Sequence, residues 1–329
     1  MAHRFDVCNG DADGLCAALQ WRLYEPAPAT LLTGMKRDIE LLERVQASAG
    51  DEVNVFDLSM HRNRAALLNL IQAGVHVRYF DHHEVSDIPS HALLEAHVDC
   101  AGNVCTSLLV DRRIGGAFHA WALVGAYGDN LAPIADRLAM DWGFGAQDSA
   151  ELRRLGEAIN YNAYGDDEHD VRIAPARLYA VMARYQDPRD MLAHDSIADE
   201  IDAQRRTDLR QALAYPPHWQ DGSGSVYVLP DEPWSRRVIG SLANELSNAN
   251  PKIAHAVLRP HRSGGYVVSV RAPLAMPSGT HGLCRHFGGR GRARAGGIDR
   301  LEATDLARFV TAFAATCWGA PDHGGAPSC

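Results

Sequence analysis

Four short segments near the start of this chain each end an apolar run with side chains able to hold a metal ion. Asn9-Gly10-Asp11-Ala12-Asp13-Gly14 follows a run ending at Cys8, and Asp57 follows Val55-Phe56. Asp81-His82-His83 follows Phe80, and Asp129-Asn130 follows Gly128. Residues 4–8, 52–56 and 75–80 read as strands, and residues 15–23, 64–72, 104–112 and 119–127 as helices. Strands alternating with helices imply an α/β domain with a parallel sheet and helices on its faces. In such sheets ligands sit outside the carboxyl ends of the strands. Asp11, Asp13, Asp57, Asp81 and His82 fall just after the last apolar residue of a strand, so the pattern sends them to that edge.

Residues 131–214 look mostly helical, with breaks at 143–145, 160–165 and Asp187-Pro188. A polar, turn-rich stretch over 215–225 marks a boundary. A second α/β pattern follows. Strands are expected over 226–229, 253–258 and 266–271 and helices over 236–247, 281–287 and 306–317, with a glycine- and arginine-rich stretch at 288–297. The expected organisation is a metal-binding domain over 1–140, a helical connector over 141–221 and a smaller α/β domain over 222–318. A frayed tail over 319–329 completes it, and an active-site cleft is expected between the two domains.

Hydrophobic residues make up 46% and charged residues 22%, ordinary for a globular chain. No apolar run approaches a membrane span, and the start shows no secretion signal, so a cytoplasmic protein away from membranes is expected. The seven cysteines are scattered and contain no Cys-x-x-Cys pair, which points to reduced thiols rather than a disulfide framework or a zinc knuckle. Net charge is −9, yet residues 236–300 hold eleven Arg/Lys against only Glu245 and Asp299. An acidic body with a basic segment suits a phosphate-bearing ligand, with a solvated basic surface as the plain alternative.

Hard divalent cations need anionic oxygens, and a pair of them needs a bridging one. Asp11 and Asp13 lie two apart in a glycine-bracketed turn, so both can aim at one point. Asp57, at the end of a neighbouring strand, is placed to bridge. His82 adds a nitrogen donor, which favours manganese over magnesium. Taken alone, Asp-x-Asp-Gly is also a calcium-like loop or a plain turn, and paired histidines also occur on polar surfaces. Tyr161 and Tyr164 could stack a base but read better as core or surface residues.

The four segments in this order resemble the motifs of the DHH-family phosphoesterases that carry a C-terminal DHH-associated domain. That superfamily includes RecJ exonucleases, nanoRNases and cyclic-dinucleotide phosphodiesterases. The glycine/arginine stretch at 288–297 resembles the glycine-rich motif of the associated domain. The resemblance covers about residues 4–140 and 225–315. It implies two divalent ions, Mn2+ before Mg2+, with Asp57 bridging them, Asp11 on the first, and Asp13, His82 and Asp129 on the second. Asp81 would orient its neighbours, and His83 would sit near the scissile phosphate. Val7 stands where several members have a histidine, so the first ion is one ligand short. Arg292 stands where a histidine is expected, and Arg290 replaces a glycine. Gly288, Gly289, Arg290, Gly291 and Arg292 would cradle phosphate or a terminal nucleotide, with Ser269 and Arg271 as further substrate contacts.

The expected activity is metal-dependent hydrolysis of short linear oligonucleotides or dinucleotides, such as pGpG, to nucleoside monophosphates. Few aromatics and an acidic body argue against a track for long nucleic acid. A homodimer is compatible with the sequence. The alternatives are a phosphatase for a small nucleotide such as 3′-phosphoadenosine 5′-phosphate and a nucleotide-binding regulator with a decayed metal site.

Overall fold

Short runs rich in β-branched and aromatic residues build the first sheet. The computed structural model describes residues 2–319, so the tail expected over 319–329 lies outside them beyond its first residue. Strands β1 (Arg4–Cys8), β2 (Thr30–Leu32), β3 (Glu52–Phe56), β4 (His76–Asp81) and β5 (Leu94–Val98) pair in the order β2-β1-β3-β4-β5. Every pairing is parallel. Helix α1 (Ala12–Tyr24) follows β1, and α2 (Met60–Gln72) follows β3.

Side chains alternate across this sheet, as the pleat requires. Val7, Val53, Val55, Val77 and Tyr79 join Leu67, Leu70 and Ile71 of α2 on one face. Cys8, Phe56 and Phe80 join Leu15, Cys16 and Leu19 of α1 on the other. Burial of both faces is what a parallel sheet needs.

One row of that second face is polar. Asp6, Asn54, Arg78 and Glu95 are register neighbours on β1, β3, β4 and β5. Asn54 Nδ2 donates to Asp6 Oδ1 at 2.9 Å, Arg78 Nη1 to Asn54 Oδ1 at 2.8 Å, and Arg78 Nε to Glu95 Oε2 at 2.9 Å. Arg22 of α1 closes one end on Asp6, at 2.7 Å and 2.9 Å.

After β5 the chain turns helical, with α3 (Thr106–Arg113), α4 (His119–Gly128), α5 (Ala132–Asp141), α6 (Ala146–Asn162), α7 (Pro175–Met182) and α8 (Pro188–His194). Helix α4 is buried from Ala120 to Gly128, so its apolar run is a core helix. Tyr161 is fully buried in the same core. The chain divides into two compact units, the first through Ala203 and the second from Gln204, and α9 (Ile197–Leu213) runs across the division.

The second unit is also α/β. It contains β6 (Trp219–Gln220), β7 (Gly224–Val228), α10 (Pro233–Ala249), β8 (Ala254–Pro260) and β9 (Tyr266–Arg271), then α11 (Thr280–His286), β10 (Arg290–Gly291), β11 (Ala295–Leu301) and α12 (Leu306–Ala315). Its mixed sheet runs β10-β11-β9-β8-β7-β6, with β7 and β8 parallel and the rest antiparallel. Val226, Leu258, Val268, Val270, Ile298, Phe309 and Phe313 form its core. The stretch expected as a glycine-rich loop is a tight hairpin, in which Arg290 faces Gly297 and Gly291 faces Gly296. Glycine and arginine carry little strand signal, so the pairing follows from backbone contact rather than from side-chain pattern. Among the described residues no helix is long and apolar enough to cross a membrane.

Candidate metal centre

The strand order places a switch between β1 and β3: the chain leaves β1 toward β2 on one side, and β3 lies on the other. Crevices at the carboxyl edge form at such points. The Asp11 turn follows β1, Asp57 follows β3, and Asp81 ends β4. Backbone bonds hold these ends in step, from Asn9 N–H to Phe56 O at 3.2 Å and from Asp57 N–H to Phe80 O at 3.0 Å.

Each side chain there is fixed by a separate local cause. Asp11 caps α1, its Oδ1 accepting from Gly14 N–H at 3.0 Å, which starts the helix three residues before the apolar pattern does. Asp13 is held by the N-terminus of α3, where Thr106 and Ser107 each donate a backbone N–H to one of its oxygens at 2.7 Å. Asp57 takes a left-handed backbone with φ of 57°, a conformation in which aspartate and asparagine are enriched. Its Oδ1 accepts from Thr106 Oγ1 at 3.4 Å.

His82 Nδ1 lies 2.9 Å from the Val104 carbonyl, which can only accept, so that nitrogen carries the proton. Nε2 faces the carboxylates, 3.2 Å from Asp57 Oδ1 and 3.8 Å from Asp13 Oδ2. This is the orientation of a metal-ligating histidine. Asp81 is fully buried and works through backbone and ring. It accepts from Met60 N–H at 3.2 Å, from His82 N–H at 2.8 Å, and from His83 Nδ1 at 2.6 Å. That bond turns Nε2 of the partly exposed His83 away from Asp81. Asp129 caps the end of α4, with its Oδ2 3.8 Å from His82 Nδ1.

Electrostatics mark the cluster as short of positive charge. Burial, then Asp11 and Asp13, push the Asp57 carboxyl well above the usual range. Burial also raises Asp13, although His82 opposes it. For Asp11 burial pushes the same way, but the Lys36 ammonium prevails and holds it below the usual range. For Asp81 His83 likewise outweighs burial. Ligand atoms of Asp57, His82 and His83 lie within 4.8 Å of one another. A hard carboxylate with imidazole nitrogens is a donor set that fits a divalent ion such as manganese.

No protein-family model matches the sequence, and no curated protein matches it. Solved structures do. One similar structure is the DHH domain of a member of a family of ribosomal proteins, with a TM-score of 0.66 and 14% identity over 95% of this chain and 86% of that one. A second is exonuclease RecJ bound to manganese, with a TM-score of 0.59 and 17% identity over 94% of this chain and 89% of that one. A third is the pGpG-specific phosphodiesterase PggH from Vibrio cholerae, with a TM-score of 0.55 and 14% identity over 94% of this chain and 97% of that one.

This chain has the DHH-domain fold. Within that fold the structure gathers Asp57, His82 and His83, with Asp13 and Asp129 beside His82 and Asp11 next along the sheet edge. The remaining expected site residues belong to the second unit of the DHH-fold chain. There Arg271 donates from Nε to Asn244 Oδ1 at 2.8 Å and from Nη1 to Ser269 Oγ at 3.0 Å. Gly288, with φ of 75°, ends α11 and Gly289 leads into the hairpin. Arg292 N–H donates to Ala295 O at 2.8 Å, so Arg292 stands in the hairpin turn.

Several contributors escaped the motif reading. Val104 acts through its carbonyl and Thr106 and Ser107 through their amides, which leave no side-chain signature. Asn9 was visible within the first segment and does positional work: its Oδ1 accepts from Asp11 N–H at 3.1 Å. Lys36 was missed outright. Its Nζ donates to Asp11 Oδ2 at 2.5 Å and to Asn160 Oδ1 at 2.9 Å. The Tyr164 ring lies 5.4 Å from that nitrogen.

Proposed function

We propose that this chain is a divalent-metal-dependent phosphodiesterase of the DHH family that cleaves short oligonucleotides or dinucleotides to nucleoside monophosphates. The observation that carries the proposal is His82, whose Nδ1 is committed to Val104 O while Nε2 faces the buried Asp57 carboxylate. A buried, charge-deficient cluster at the switch point is where a cation and a phosphate would meet. The likeness to RecJ and to the pGpG phosphodiesterase supports this reaction class.

A bound divalent ion would supply an activated water and neutralise charge on the phosphate. Asp57 and His82 would hold it, with Asp13 and Asp129 adjoining. Asp81 orients His83, whose Nε2 would donate a hydrogen bond to a non-bridging phosphate oxygen as charge builds there. His82 supports a preference for manganese.

The test follows 5′-labelled oligoribonucleotides of two to seven residues with the protein and Mn2+, with 3′-phosphoadenosine 5′-phosphate as a parallel substrate. Cleavage of the shortest oligomers, stopped by EDTA and restored by excess Mn2+, is the expected outcome. No cleavage at any length, or cleavage indifferent to EDTA, would remove the proposal. Release of phosphate from the parallel substrate alone would replace a diesterase with a phosphatase.

In the second unit, Arg290 and Arg292 are proposed to bind the substrate without taking part in bond breaking. Their hairpin sits in the basic stretch of net +9, and glycines at its pairing positions allow close approach to phosphate. Arg292→Ala should raise KM for a dinucleotide about ten- to a hundredfold, as expected for one lost charge-assisted hydrogen bond. Hydrolysis of bis-p-nitrophenyl phosphate, which has no second nucleotide to hold, should stay nearly constant. Parallel loss on both substrates would assign the arginine to chemistry or to folding.

A further inference from the structure

We infer that the Lys36 ammonium takes the place of a second metal ion, so that the chain holds one divalent cation at Asp57 and His82 and a tethered organic cation at Asp11. The inference rests on the proposed metal-dependent reading for that one ion. It departs from the pair of ions that the spacing of the carboxylates leads one to expect.

Lys36 is built into this position rather than resting there. Its side chain makes two bonds, to Asp11 Oδ2 at 2.5 Å and to Asn160 Oδ1 at 2.9 Å. Its backbone is pinned on both sides: Lys36 N–H donates to Ala163 O at 3.0 Å, and Lys36 O accepts from Asn9 Nδ2 at 3.2 Å. The same Asn9 accepts from Asp11 N–H at 3.1 Å. One side-chain amide therefore fixes the lysine backbone and the aspartate turn relative to each other. Asn160 is itself buried, at 5% exposure, in the last turn of α6. An amide oxygen there adds a second acceptor for an ammonium without adding charge.

Both oxygens of Asp11 are thereby engaged. Its Oδ1 accepts from Gly14 N–H and its Oδ2 accepts from Lys36. A divalent ion on Oδ2 would have to sit within a few ångström of the ammonium. At that range, in a partly solvated site, the like charges of ion and ammonium repel strongly. Val7 on β1 is fully buried in an apolar cluster and offers no replacement ligand. By contrast, His82 Nε2 and Asp57 Oδ1 stand 3.2 Å apart, with a ring nitrogen of His83 within 4.8 Å of both. The centre thus pairs one strong Lewis-acid position with one fixed single charge, which can neutralise a phosphate oxygen but cannot activate water.

Metal stoichiometry, read independently of turnover, tests this. Mn2+ is titrated into the full chain by calorimetry, and electron paramagnetic resonance is recorded at one and two equivalents. Wild type should bind one ion per chain and show a magnetically isolated manganese spectrum. Lys36→Met, similar in length but uncharged, should gain a second ion, bound at least about a hundredfold more tightly than any second ion in wild type. Its spectrum at two equivalents should be that of a spin-coupled pair. Lys36→Arg, which keeps the charge, should bind one ion. Circular dichroism shows whether the Met variant is folded; if it is not, wild type and Lys36→Arg carry the decision. Two comparable ions with a coupled spectrum in wild type would overturn the inference. So would a folded Lys36→Met that still takes only one. Binding of one ion without dinucleotide hydrolysis would remove the proposed function and leave this inference standing, whereas two ions with hydrolysis would do the reverse.

Discussion

Asp57→Asn should lower manganese-dependent hydrolysis of a dinucleotide by about a thousandfold or more, since each 1.4 kcal/mol of lost transition-state stabilisation is tenfold. The fold should survive. Asparagine tolerates the left-handed backbone of this position, φ 57°, whereas alanine there would add about 1–2 kcal/mol of strain and blur the result. Wild-type Asp57 is buried against Asp11 and Asp13, which push its carboxyl up. Removing that charge relieves repulsion, so the thermal midpoint of the metal-free variant should equal or exceed that of wild type. Activity within about tenfold of wild type would sink the metal-ligand role. A midpoint that collapses with activity would show that the carboxylate serves the fold instead.

The largest expected effect on stability comes from Gly10→Ala. A Cβ at Gly10 would stand 1.8 Å from the Gly34 carbonyl oxygen and 2.9 Å from Pro175 Cβ. Backbone has no rotamer with which to yield, so the turn carrying Asp11 and the segment carrying Lys36 must separate. We expect a loss of about 3 kcal/mol or more in chemical denaturation, in the range of severe overpacking. Gly102→Ala is the control: it has nothing within 4 Å of the added Cβ and should change stability by less than about 0.5 kcal/mol. Equal effects at both positions would mean that the turn at Gly10 is far more compliant than its contacts imply.

The two cases also show what could be read from the chain. Strands β1, β3 and β4 were legible because Val, Phe and Tyr runs there are short and bounded, and their terminal aspartates and histidines announced a binding edge. Strand β5, Leu94-Glu95-Ala96-His97-Val98, was not, because all five residues are only partly buried and two are polar. Strand β2 is three residues long with an exposed start, too short for any period. Helix α2 begins at Met60 rather than at 64, since its opening residues carry no apolar stripe. Lys36 follows the same logic in the site. A lysine 25 residues from Asp11 is, by type, a surface residue, and only the packing of Gly34 against Gly10 brings it home. Donors and acceptors supplied by Val104, Thr106 and Ser107 are main-chain atoms that any residue owns, so no sequence pattern could single them out.

The polar row Asp6-Asn54-Arg78-Glu95 bears on how the sheet finds its order. Parallel strands have no hairpin to set their pairing, and Val-rich strands are nearly interchangeable as apolar surface. A displacement of one residue turns every side chain to the opposite face. Here such a displacement would take Asn54 away from the buried Asp6 and part Arg78 from Asn54 and Glu95, a costly outcome for buried polar groups. Each strand therefore bears a distinct mark that only its proper neighbour can read. Once the four marks match, the ends of β1, β3 and β4 are aligned as well, and Asp11, Asp57 and Asp81 arrive side by side without any attraction among themselves.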